Sequence, residues 1–247
     1  KEYAATYPFI NVVDGPPCDC EGFERKVKCL TKGIQLCNDI HYSCIGILDA
    51  DISFDPDYYL RLIGHFGADP LLGIAGGLLH DLVDGKKISH RLASPWGVSG
   101  GVQMFRRTCF EQIGGFVALK EGGEDTIACI MAEAQGWRVA TFPELIGLHH
   151  KRTNISRGNA FLSSYRLGIR DHTCGTHPVY ELIKCINRLR GWPFVIGAIL
   201  RWTGYTIATI GCRPRPLARH HMHFVREQQI RRIRSALFPS LGQSVAK

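Results

Sequence analysis

The feature that most restricts the fold is an alternation. Between residues 22 and 150, short apolar runs of strand length take turns with stretches of helical periodicity. Phe23, Val27, Leu30 and Ile34 line one face of a helix over 22–37. Residues 44–48 form an apolar run too short for a helix, stopped by Asp49-Ala50-Asp51. Pro56 opens a second helix through Tyr59, Leu62, Ile63 and Phe66, because proline is tolerated in a first turn. Residues 72–79 and 101–105 read as strands, and 109–113 as a helical turn closed by Gly114-Gly115. A helix over 124–135 presents Ile127, Ile130, Met131 and Ala134 on one face and stops at Gly136. Residues 137–141 and 145–148 are the last strands, the second running into His149-His150. This pattern is satisfied by a sheet flanked by helices, so the expected class is α/β.

Charge divides the chain in two. Residues 1–150 carry 13 Lys and Arg against 19 Asp and Glu, a balance of −6, whereas residues 151–247 carry 17 against 3, a balance of +14. With 45% hydrophobic residues in 247, the chain can bury a sizeable core, and the change of character places a boundary near residue 160. The expected organisation is an α/β domain over 1–160 and a helical, basic region over 161–247. A basic appendage of this strength seeks an anionic surface, lipid or nucleic acid. Its aromatic residues cluster in one apolar block rather than interleaving with the arginines, which favours lipid. That block, 192–211, has Arg201 near its middle, where a charge costs roughly 2.5–3.5 kcal/mol in a membrane span, so interfacial insertion is expected rather than crossing. Phe194, Ile196, Ile199, Tyr205 and Ile207 are the expected inserted side chains. Ten cysteines without a CxxC pair fit a reducing, cytosolic compartment. Residues 1–9 lack the pattern of a secretory signal and read as the middle of something longer.

Three motifs carry chemistry. Asp49 and Asp51 stand at the end of an apolar strand, where open α/β sheets gather ligands, and hard oxygen donors there suit Mg²⁺ or Mn²⁺ on a diphosphate. An EF-hand is excluded, because Phe54 and Leu60 occupy the positions that need glycine and glutamate. Glu124-Asp125 follows Gly122-Gly123 at a helix start, where a carboxylate serves the helix dipole or acts as a general base. His149-His150 follows a strand; successive side chains diverge in extended chain, so at most one joins a metal site. Ser99-Gly100-Gly101 reads as a loop of close backbone approach. Neither GxGxxG nor GxxxxGK[ST] occurs, which removes Rossmann dehydrogenases and P-loop NTPases.

Taken in order, these motifs resemble glycosyltransferase family 2, whose members have a GT-A fold and transfer sugar from a nucleotide-diphosphate donor with inversion. Residues 48–53 are similar to the family's DxD segment, and Arg25-Lys26 stand where members place a basic residue near the nucleotide. Residues 97–107, with Gly114-Gly115-Phe116 behind them, are similar to the strand and turn beneath the acceptor, and Glu124-Asp125 to the ED motif that supplies the base. The resemblance implies a GT-A type mixed sheet over residues 9–160. It implies Asp125 as base with Glu124 beside it, and Asp49, Asp51, Arg25 and Lys26 on the donor. It places Trp96, Ser99, Gly100 and Gly101 at the acceptor, and the metal on Asp51, Asp49 and His149 or His150. Members begin with a strand, a helix and a second strand, for which residue 49 comes too early, so the first nucleotide-binding strands are expected to be missing. Arg201-Trp202 lacks the glutamine of the processive QxxRW signature, Ala198 standing in its place, which favours single addition. The implied partners are a nucleotide-sugar donor and a saccharide or lipid-linked acceptor, at the cytoplasmic face of a bacterial membrane in polysaccharide or glycolipid assembly. The rival expectation is an inactive scaffold on the same sheet, binding lipid or nucleic acid through its tail.

Overall fold

The computed structural model describes residues 2–20, 22–83, 86–89, 97–150, 160–190 and 192–237. A short α1 (Glu2–Thr6) leads through an extended segment, in which Cys18 and Cys20 are joined by a disulfide, to α2 (Gly22–Gln35). There follow β1 (Cys44–Gly46), β2 (Ile52–Phe54), α3 (Tyr58–Ala68), β3 (Leu72–Val83), β4 (Lys86–Ser89), β5 (Met104–Arg106), α4 (Arg107–Gln112), α5 (Glu124–Ala134) and β6 (Arg138–His149). Four helices complete the chain: α6 (Ala160–Thr173), α7 (Pro178–Asn187), α8 (Phe194–Ile210) and α9 (Arg219–Leu237).

The described strands form one mixed sheet in the order β1-β5-β3-β6-β2, with β4 on the end of β3. β3 and β6 are parallel and the other pairs antiparallel, so β1, β3 and β6 point the same way and their carboxyl ends share one edge. Successive residues of β3 face opposite layers, as a pleated strand requires. Ile74 packs with Phe105, Phe110 and Ala128 beneath α4 and α5, and Ala75 packs with Tyr58, Leu62 and Leu145 beneath α3.

Two expectations are corrected. The helix expected from Pro56 begins at Tyr58, behind Asp57. The two strands expected at 137–141 and 145–148 are one strand, β6, with a bulge: Gly77 pairs with Phe142 but Leu78 pairs with Ile146. Pro143 falls among the skipped residues, where a strand tolerates a missing N–H. The Gly77 N–H donates instead to the buried Tyr58 hydroxyl at 2.7 Å.

The C-terminal helices are held to each other and to the sheet domain. α6 and α8 cross backbone against backbone: a methyl on Gly168 would strike the Arg201 carbonyl, and one on Gly204 the Tyr165 carbonyl. Arg201, buried in α8, pairs with Asp171 of α6 and at 2.6 Å with Glu181 of α7. Cys174 and Leu217 join Leu119 and Ile127 in a common apolar cluster, and Arg213 reaches Glu121 at 3.4 Å. No described helix is long and apolar enough to cross a membrane. Tyr205, expected to insert, is buried with its hydroxyl donating to the Thr176 carbonyl at 2.7 Å. Ile196, Ile199 and Ile207 lie on the opposite face of α8 and are 56%, 58% and 49% exposed.

Candidate active site

The candidate residues converge because strand register brings them to one edge. After β1, hydrogen bonds to the segment before β5 continue, Ile47 N–H to Gln103 at 2.7 Å and Asp49 N–H to Gly101 at 3.0 Å. This ladder carries Asp49 to the loop 97–102. β2 runs antiparallel to β6 with Ile52 opposite His149, so Asp51 meets the end of β6, where His150 N–H donates to its carbonyl at 2.9 Å.

The glycine pair of the loop lies between two acids. A methyl on Gly101 would sit 3.0 Å from Asp49 Oδ2, and one on Gly100 would sit 3.0 Å from Asp125 Cβ. Adjacent residues therefore approach the acidic turn on one side and the start of α5 on the other, closely enough that a methyl on either would crowd its acidic neighbour, and one on Gly101 would also strike Ile52. Gly100 N–H donates to Asp125 Oδ2 at 3.2 Å, and Thr126 N–H to Oδ1 at 2.7 Å. The carboxylate is thus aimed by two backbone donors. Behind it, buried Gln103 donates to the Asp125 carbonyl at 3.3 Å and the Val98 carbonyl at 3.2 Å.

Glu124 is buried, 4% exposed, with Oε2 unpartnered and Lys26 3.7 Å from Oε1. Burial and the neighbouring Asp125 charge push its carboxyl above the usual range. Lys26 also reaches Asp49 Oδ1 at 3.1 Å, bridging the two acidic motifs, whereas Arg25 is exposed on α2.

The two histidines part, as alternation in extended chain requires. His150 Nε2 lies 2.7 Å from Ser53 Oγ, and His149 turns inward with Nε2 3.4 Å from Asp51 Oδ1. His149 Nδ1 is 3.0 Å from Asp81 Oδ1, a buried carboxylate at the end of β3. Asp81 was not among the candidates; an acid late in an apolar strand was the one signal available. Of the four expected metal ligands, the structure joins Asp51 and His149, and gives Asp49 to Lys26 and His150 to Ser53. Among the described residues no three His, Cys, Asp or Glu side chains form a metal-holding group. A carboxylate and an imidazole nevertheless fit a divalent cation whose remaining positions are filled by diphosphate and water. Ser99 lies in the same loop; Trp96 lies outside the described residues.

No protein-family model matches the chain, and no curated protein sequence matches it. Among solved structures, the mannosyltransferase PcManGT from Pyrobaculum calidifontis, in complex with GDP-Man and Mn²⁺, aligns over 98% of this chain and 73% of its own, with 14% identity and a TM-score of 0.51. GalNAc-T7, solved with UDP, GalNAc and Mn²⁺, aligns over 58% of this chain and 34% of its own, with 14% identity and a TM-score of 0.41. The chain has the GT-A-like mixed α/β fold of that mannosyltransferase, followed by a helical C-terminal region.

Proposed function

We propose that this chain is a nucleotide-sugar glycosyltransferase of the family 2 type, acting with inversion. The observation that carries the reading is the two-glycine step, which sets Asp49 and Asp125 on either side of one loop at the carboxyl edge of the sheet. Donor and acceptor chemistry then share one edge. Lys26 stands beside Asp49, where a nucleotide would find a cation, with Arg25 one residue away. Asp51 and His149 would hold Mg²⁺ or Mn²⁺, which when bound offsets the charge growing on the leaving diphosphate.

Asp125 is the base. Its carboxylate takes the proton of an acceptor hydroxyl as that oxygen bonds to the anomeric carbon. The bond from that carbon to the diphosphate oxygen breaks on the opposite side, and the diphosphate leaves with the electron pair. Two backbone donors fix the carboxylate for this in-line approach, and buried Glu124 sets the start of α5. Trp96 and the loop residues Ser99, Gly100 and Gly101 meet the acceptor.

The same reading places residues 178–234 on the anionic cytoplasmic leaflet, in polysaccharide or glycolipid assembly. The outward face of α8 and the exposed Arg188, Arg190, Arg213 and Arg219 support it.

The test is calorimetric titration of UDP, GDP and TDP with and without Mn²⁺, followed by turnover with the nucleotide sugar selected. Asp125→Asn is expected to keep nucleotide binding and lose about 10²–10⁴-fold in transfer. Turnover retained in that variant removes Asp125 as base, and absence of metal-dependent binding to any nucleotide removes the transferase reading.

A further inference from the structure

A cavity of about 120 Å³ lies between α5 and the C-terminal helices. Protein interiors hold few voids larger than a water molecule, so a space of this size between packed helices is unusual. Four helices supply its walls: Thr126 and Glu133 from α5, Asp171 from α6, Tyr180 and Lys184 from α7, and Phe224 and Gln228 from α9.

The lining argues against a small anion and against an oily ligand. Its four charged side chains, Glu133, Asp171, Lys184 and Arg232, cancel. Tyr180 and Phe224 contribute aromatic rings, while Thr126, Gln228 and Glu133 contribute hydroxyl, amide and carboxylate groups. Aromatic rings beside hydrogen-bonding groups of both senses suit a neutral polyhydroxylated ring, whose C–H face packs on aromatics while its hydroxyls donate and accept.

Its position points to the reaction. Thr126 lines the cavity and its hydroxyl lies 3.3 Å from Asp125 Oδ1. Gly97, in the wall as well, lies three residues before Gly100, whose N–H holds the other Asp125 oxygen. We infer that this cavity is a saccharide subsite of the acceptor, taking one neutral pyranose ring beside Asp125. The inference rests on the transferase reading for the word acceptor, but not for the binding of sugar. It also ties the C-terminal helices to catalysis, since α7 and α9 form two of the walls.

The experiment is saturation-transfer NMR on the full chain, with methyl glycosides of glucose, galactose, mannose and N-acetylglucosamine as probes at millimolar concentration. At least one glycoside is expected to receive saturation from the aromatic rings. Gln228→Trp, which fills the space, is expected to weaken that binding at least about tenfold. Phe224→Ala removes one wall and is expected to weaken it as well, so the test does not depend on one variant folding. Metal-dependent nucleotide binding by both variants is expected to match the unsubstituted chain. Absence of binding by every glycoside, or binding that survives both substitutions, overturns the subsite. Glycoside binding in a chain that binds no nucleotide leaves a sugar site and overturns the acceptor role.

Discussion

His149 and Asp81 face each other in register across the parallel β3 and β6 strands, with Nδ1 and Oδ1 3.0 Å apart. The bulge in β6 makes this pairing: with Gly77 opposite Phe142, an unbroken ladder would have set Asp81 opposite Ile146. A carboxylate accepting from Nδ1–H fixes the tautomer and leaves Nε2 directed at Asp51. Asp81→Ala is therefore expected to weaken Mn²⁺-dependent nucleotide binding by about 10–100-fold, the usual effect of losing such an outer partner. Calorimetry measures this, and unchanged affinity would remove His149 from the donor site.

Glu124 makes stability depend on pH in an unusual direction for a carboxylate. Burial first, and Asp125 second, hold its folded pKa above the unfolded value. Its contribution is then greatest below the unfolded value, near 4.5, and is lost as pH rises from there through the raised folded value. Glu124→Gln removes the penalty. Urea unfolding is expected to find variant and parent alike at pH 4, with the variant gaining as pH rises, by at most about 1.4 kcal/mol per pH unit in that window. A difference that does not change with pH would show that Glu124 ionises in the fold as readily as in the unfolded chain.

The sheet domain was legible where periodicity and end signals agree. The helix over 124–135 was read from Ile127, Ile130 and Gly136, and the structure gives α5 at Glu124–Ala134 with Gly136 at positive φ. β2 and β4 were not legible, because Ile52–Phe54 is buried in an acidic run and Lys86–Ser89 is polar. Their pairing comes from β6 and β3, which no local pattern reports. At the site, Asp49, Asp51, Glu124, Asp125 and His149 were named from sequence because each sits at an element's end. Which of them meet is set by packing between distant segments: Asp51 with His149 through strand register, Asp49 with Lys26 of α2, and Asp81, unforeseen, behind His149. In the tail, Arg201 looked like a charge interrupting an apolar segment, and its meaning lay 20 and 30 residues away in Glu181 and Asp171.

That cluster is the structural pin of the C-terminal helices. Burial raises the Asp171 carboxyl, but Lys184, Arg201 and Arg170 together outweigh it and hold the group well below the carboxylate range. Arg201→Met leaves two carboxylates buried without their shared guanidinium, with Lys184 at 2.9 Å from Asp171 and 3.4 Å from Glu181. Urea unfolding is expected to show a loss of about 3–5 kcal/mol. Replacing all three members with Asp171→Leu, Glu181→Leu and Arg201→Met is expected to recover most of it, since buried pairs are seldom better than apolar packing. A triple variant as unstable as the single one would mean that the ion pairs themselves, not the orphaned charges, set the cost.

The outward face of α8 supplies the last test. Ile196 and Ile199 are more than half exposed and point away from Arg201 and Tyr205, so Ile196→Asp with Ile199→Asp removes little packing and is expected to change stability by about 1 kcal/mol or less. In the headgroup region each substitution replaces an inserted apolar side chain with a charge of the lipid's own sign. The unsubstituted chain is expected to float with vesicles of mixed phosphatidylcholine and phosphatidylserine at low salt, and the double variant to stay in the bottom fraction. Salt separates the two contributions. Attraction by exposed arginines, worth about 1 kcal/mol each near an anionic surface, fades within a Debye length, whereas insertion of Ile196 and Ile199 does not. Flotation lost on adding salt but untouched by the double substitution would assign the contact to the arginines alone. Chain that never floats would remove the membrane from the proposal while leaving the active-site edge as it stands.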